Sequence, residues 1–127
     1  MPKRIIVIDN DLPVLEMLRE ALQGQGYEVI AFQDTDNVVD LVQQHPADLL
    51  IVDYILDGIN GGELCQQVKK QPATTQLPVM ICSGYSRVLN SLGFYNCDAF
   101  LEKPFDLTDL LEKVNRLLYP LNNKLLT

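Results

Sequence analysis

Three uninterrupted apolar runs, Ile5-Ile6-Val7-Ile8, Leu49-Leu50-Ile51-Val52 and Val79-Met80-Ile81-Cys82, constrain this chain more than any other feature. A strand with one wet face alternates apolar and polar residues. These runs do not alternate, so both faces of each strand must be covered, as in a parallel sheet flanked by helices. Two weaker strands are expected near residues 28–32 and 99–101. Between the strands lie helical patterns. Val14, Leu15, Leu18, Ala21 and Leu22 recur at helical spacing, with Pro13 in the first turn and Gly24 or Gly26 closing the helix. Val38, Val39, Leu41 and Val42 predict a second helix capped by Asp36. A third is expected over 63–70, and a last one, capped by Asp106, carries Leu107, Leu110, Leu111, Val114, Leu117 and Leu118. For the fourth helix in order only residues 87–92 are available, with Gly93 breaking the pattern.

Alternation of this kind reads as a (βα)5 doubly wound α/β fold with a five-stranded parallel sheet. Right-handed crossovers at this size favour the flavodoxin-like order 2-1-3-4-5. The 127 residues fit one domain, residues 1–127, with a core over about 3–118 and a short tail over 119–127. A net charge of −7, with ten scattered Lys and Arg, argues against direct nucleic-acid binding. No apolar stretch approaches the ~20 residues that span a membrane. Cys65, Cys82 and Cys97 form no C-x-x-C pair, and no signal-peptide pattern opens the chain, so reduced thiols in a cytoplasmic protein are expected. Cys82 reads as a core residue and His45, the one histidine, as a solvated loop residue.

The strong strands end in polar residues. The first runs into Asp9-Asn10-Asp11, the third into Asp53, the fourth into Ser83, and the weak fifth into Lys103-Pro104. In a parallel sheet these ends share one edge, where ligands of doubly wound folds bind. Carboxylates crowded there need compensation, and a hard divalent cation such as Mg²⁺ supplies it. A carboxylate beside a metal, a lysine and a hydroxyl is suited to holding a phosphoryl group. Each residue alone also has a plain structural role: Asp11 as a helix cap, Ser83 as a loop hydroxyl, Lys103 as a surface charge.

The stretch Ile5 to Asp11, the segment Val52-Asp53-Tyr54-Ile55-Leu56-Asp57-Gly58 followed by Gly61, the strand Pro78 to Gly84 and the segment Asp98 to Phe105 together resemble the receiver domains of two-component response regulators. The resemblance covers essentially the whole chain. It implies that Asp53 accepts a phosphoryl group from a sensor histidine kinase or a histidine phosphotransfer protein. Asp9, Asp53, the backbone carbonyl of Ile55 and the residue at position 10 would hold Mg²⁺. Lys103 would contact a phosphoryl oxygen, and Ser83 would be the switch hydroxyl. Phe100 would turn inward and alter the face made by the fourth helix, fifth strand and fifth helix. Such a chain signals to a downstream protein and is not an enzyme in the ordinary sense.

Three features depart from the family pattern. Asn10 stands where an acidic metal ligand is usual, Asp57 where proline is usual, and the segment from Ser83 to Lys103 is short. Asn10 keeps open a pseudo-receiver, a binding module that is not phosphorylated. The opening Ile5 to Asp11 also resembles the D-x-D start of haloacid-dehalogenase-type phosphatases, although that reading leaves Asp53 unexplained. Plain strand packing is the alternative role for Phe100.

Overall fold

The computed structural model describes residues 2–56, 58–84 and 96–120. Its elements run β1 (Arg4–Ile8), α1 (Leu12–Gln23), β2 (Glu28–Phe32), α2 (Val38–Gln44), β3 (Leu49–Asp53), α3 (Gly61–Lys70), β4 (Val79–Ser83), β5 (Ala99–Glu102) and α4 (Leu107–Leu118). The helix expected over 87–92 lies outside the described residues, so α4 here denotes the C-terminal helix. The five strands pair in parallel in the order β2-β1-β3-β4-β5, the flavodoxin-like order.

The apolar runs become the three central strands because each carries two cores at once. Successive side chains point to opposite faces. Ile5, Val7, Leu49, Ile51, Met80, Cys82 and Leu101 pack with Leu15, Leu18 and Leu22 of α1 and Leu110, Val114 and Leu118 of α4. Ile6, Ile8, Leu50, Val52, Val79 and Ile81 face the other way, onto Val38 and Val42 of α2 and Leu64, Cys65 and Val68 of α3. All five residues of β3 and of β4 are buried. The weaker strands are the two edges, β2 and β5, where only one neighbour is available.

Local chemistry sets the helix ends. Asp11 caps α1, its carboxylate accepting from the Val14 N–H at 3.3 Å, with Pro13 in the first turn. The helix stops at Gln23, followed by Gly24 and then by Gly26, whose φ of 91° is the left-handed conformation glycine tolerates. The expected Asp36 cap is corrected by one residue. Asn37 has the extended backbone of a cap, and its side chain accepts from the Asp40 N–H at 3.1 Å. Helix α3 starts two residues before the expected 63, because Asn60 accepts from the Glu63 N–H at 2.8 Å and Glu63 reaches back to the Asn60 amide. Asp106 occupies the cap position of α4, with no side-chain capping bond. The His45 ring does not stand free in its loop; it is half-buried, tilted against Phe32 with centroids 5.6 Å apart.

Candidate phosphoryl site at the carboxyl edge of the sheet

Strand register brings the polar strand ends to one edge. Ile8 pairs with Val52, Asp53 with Cys82 and Ser83 with Glu102. Asp9 follows β1, its N–H donating to the Phe32 carbonyl at 3.1 Å, and is 1% exposed. Asp53 closes β3 and is 8% exposed, and Ser83 closes β4, buried. Lys103 leaves β5 with its N–H donating to the Ser83 carbonyl at 2.8 Å, and the Lys103–Pro104 peptide is cis.

The loop after Asp53 folds back tightly on the strand. Ile55 and Asn60 form an antiparallel bridge, and the Gly61 N–H donates to the Tyr54 carbonyl at 2.8 Å. A Cβ at residue 61 would run into the Asp53 carbonyl group, so the start of α3 reaches the strand end only as glycine. Asn60-Gly61-Gly62 was the sequence signal for this turn. Helical periodicity alone missed it, because glycine carries no apolar side chain to count.

One ammonium joins the two buried carboxylates. Lys103 Nζ lies 3.0 Å from Asp9 Oδ2 and 3.1 Å from Asp53 Oδ1. The remaining Asp9 oxygen, Oδ1, accepts the Asp11 N–H at 2.9 Å. Burial pushes the Asp53 carboxyl above its ordinary range; the Lys103 charge pulls it back, the Asp9 charge pushes it up again, and the net direction is upward. For Lys103, burial alone disfavours the ammonium, yet the hydrogen bonds and charges of Asp9 and Asp53 outweigh it, so its pKa rises. Two desolvated carboxylates on one cation leave the cluster a net negative charge.

Asp9, Asp53, Ser83 and Lys103 therefore share the edge. Asn10 is exposed. Ile55 is 48% exposed, its backbone in the tight loop beside Asp53. Phe100 is 43% exposed, and on the edge strand only Leu101 is fully buried. Asp57 lies outside the described residues. The donors at this edge are hard oxygens with excess negative charge, the chemistry that suits Mg²⁺. Among the described residues no group of three or more acidic, histidine or cysteine side chains converges as a metal cluster.

The cysteines have no part in this site. Burial pushes the Cys65 and Cys82 thiols up to about 12, so both stay protonated core residues at neutral pH.

The family model of the response regulator receiver domain matches residues 5–115. This chain belongs to that family. The receiver fold is also that of solved structures along nearly their whole length. The response regulator TrrA from Thermotoga maritima, solved in complex with Mg²⁺ and beryllium fluoride, is 29% identical with a TM-score of 0.83, covering 91% of this chain and 99% of that one. The receiver domain of a signal transduction histidine kinase from Syntrophus aciditrophicus is 26% identical with a TM-score of 0.81, covering 93% and 91%. A receiver domain protein from Methanospirillum hungatei is 25% identical with a TM-score of 0.83, covering 98% and 99%. Membership of this family replaces the haloacid-dehalogenase alternative raised by the opening Ile5 to Asp11. Among the described residues, no helix is long and apolar enough to cross a membrane.

Proposed function

We propose that this chain is a single receiver domain that accepts a phosphoryl group on Asp53 from a phosphohistidine of a sensor histidine kinase or histidine phosphotransfer protein. The observation that carries the reading is the Asp9–Lys103–Asp53 bridge at the carboxyl edge of the central strands. An Asp53 carboxylate oxygen attacks phosphorus, a new P–O bond forms, the P–N bond breaks, and its electron pair returns to the imidazole. Desolvation makes the attacking carboxylate less satisfied in its resting state. It also strengthens every charge directed at the transferring group.

Bound Mg²⁺ would supply charge neutralisation to the transferring oxygens. Asp9, Asp53 and the Ile55 carbonyl are its proposed ligands, with the Asn10 amide as a neutral fourth. Lys103 pairs a phosphoryl oxygen, and Ser83 donates its hydroxyl to the phosphorylated form. Phe100, exposed in this structure, then turns inward and changes the surface around β5 and α4 that a downstream protein reads. Support for the donor comes from the family itself and from the likeness to a histidine kinase receiver. The likeness to a Mg²⁺ complex supports the metal.

Exposed, neutral Asn10 favours one second reading, a pseudo-receiver that binds a partner without being phosphorylated. Incubation with acetyl phosphate decides between them. A receiver gains an acyl phosphate with Mg²⁺ and none with a chelator; a pseudo-receiver gains none in either case.

A further inference from the structure

The three cysteines divide between the two faces of the sheet. Cys82 packs on the side of α1 and α4, whereas Cys65 and Cys97 pack in the core on the side of α2 and α3. Cys65 and Lys69 are four residues apart and lie one above the other on the same face of α3. Asp98 directly follows Cys97, and its contact with Lys69 at 2.7 Å holds the chain before β5 against that face. One turn back along α3 and one residue back along the chain, Cys65 and Cys97 come to the same corner of the core. Burial, and after it the charge of Cys97, push the Cys65 thiol up to about 12, so the two sulfurs are near enough to feel one another. Their access differs: Cys65 is fully buried and Cys97 only half-buried.

We propose that Cys97 and Cys65 are a redox pair, in which a hydroperoxide oxidises Cys97 and Cys65 closes the disulfide. The inference does not depend on the phosphoacceptor reading. In the first step the Cys97 sulfur attacks one peroxide oxygen and the O–O bond breaks. Cys97 becomes a sulfenic acid, and the peroxide is reduced to water or an alcohol. In the second step the Cys65 sulfur attacks the Cys97 sulfur. The S–O bond breaks, the S–S bond forms, and the hydroxyl leaves as water with the Cys65 proton. Half-exposure makes Cys97 the sulfur that a small oxidant reaches, and full burial makes Cys65 the one that waits for it. Cys82 is kept out of the exchange by the sheet between them. The link fastens α3, whose first residue abuts the Asp53 carbonyl, to the strand that leads into Lys103.

The test treats the natively folded chain with hydrogen peroxide, blocks remaining thiols with N-ethylmaleimide, and maps non-reduced digests by mass spectrometry. Wild type and the control Cys82→Ala should each lose two hydrogens and give one linked peptide, Cys65 to Cys97, at monomer mass. Cys97→Ser should give none. In Cys65→Ala the Cys97 sulfenic acid meets no second thiol, so dimedone should capture it several-fold more than in wild type. Wild-type mapping decides the matter even where a variant does not fold. Nearly all links in the folded protein should join Cys65 and Cys97, whereas the urea-unfolded chain gives a mixture that includes Cys82. The same mixture in both states overturns the proposal. So does a folded protein that forms no link, or that forms links only between two chains.

Discussion

Two lysine–aspartate arrangements sit at opposite ends of the same sheet and do different work. At the amino edge, Lys69 Nζ lies 2.7 Å from Asp98 Oδ2 and donates to the Leu77 carbonyl at 2.8 Å. The same Asp98 oxygen accepts the Val79 N–H, also at 2.8 Å. One ammonium meets one carboxylate, and the surrounding backbone completes the pair. At the carboxyl edge, one ammonium serves two carboxylates that are both more deeply buried than Asp98. The first pair is closed and ties the end of α3 to the starts of β4 and β5. The second is short of positive charge and therefore poised for a cation or for chemistry. What separates a brace from a site here is charge balance under desolvation, since the residue types are the same.

The largest expected contrast is in phosphorylation. Asp53→Asn should abolish acyl-phosphate labelling, whereas Asp98→Asn, which breaks the brace, should leave labelling of the folded protein intact. Gel or mass readout with acetyl phosphate checks both. Comparable loss in the two variants would erase the distinction.

In stability the order reverses. Lys69→Met leaves Asp98 with a backbone donor alone and should cost about 2 kcal/mol in urea unfolding. Metal-free Asp53→Asn should instead stabilise the protein by on the order of 1 kcal/mol, because a desolvated, repelled charge disappears. That gain depends on pH. The folded state holds the Asp53 proton to higher pH than the unfolded chain does, since burial raises its pKa. Wild-type stability therefore falls as pH rises from the ordinary carboxylate range through the raised value. Asp53→Asn removes that fall, so its advantage should be absent in acid, grow across the window and level off above it. Melting temperatures of the two proteins across that range test the sign.

The smallest structural change sharpens the contrast in metal binding. Asn10→Asp adds a carboxylate to the edge already short of positive charge. Mg²⁺ affinity should rise by roughly tenfold, about 1.4 kcal/mol, in a calorimetric titration. Unchanged affinity would mean that residue 10 is not a ligand.

The strand ends were the most legible part of this molecule. Runs without polar alternation demanded a covered parallel sheet, and topology then placed the residues following each run at a common edge. Asp9, Asp53, Ser83 and Lys103 could be named for that reason. Side-chain pairing across the edge was not legible: no one-dimensional pattern reveals that Lys103 spans both Asp9 and Asp53, because those contacts join residues far apart in sequence. The brace at the amino edge was missed for the same reason. Asp98 and Lys69 have ordinary surface composition, and Lys69 is covered only once the chain after α3 folds back to place the Leu77 carbonyl and Asp98 on its ammonium. Phe100 was ambiguous because edge strands lack a second neighbour, and alternation over four residues does not say which face is open. The Asn37 cap was displaced by one position because Asp36 and Asn37 are nearly equal in capping preference.

The most direct test of the account is chemical mapping of the phosphorylated residue. Wild-type protein treated with acetyl phosphate and Mg²⁺, reduced with borohydride and digested, should carry the homoserine that marks a reduced acyl phosphate at position 53 and nowhere else. Homoserine at Asp9 or Asp57, or its absence from a folded protein shown to bind Mg²⁺, would contradict the assignment of Asp53 as the acceptor.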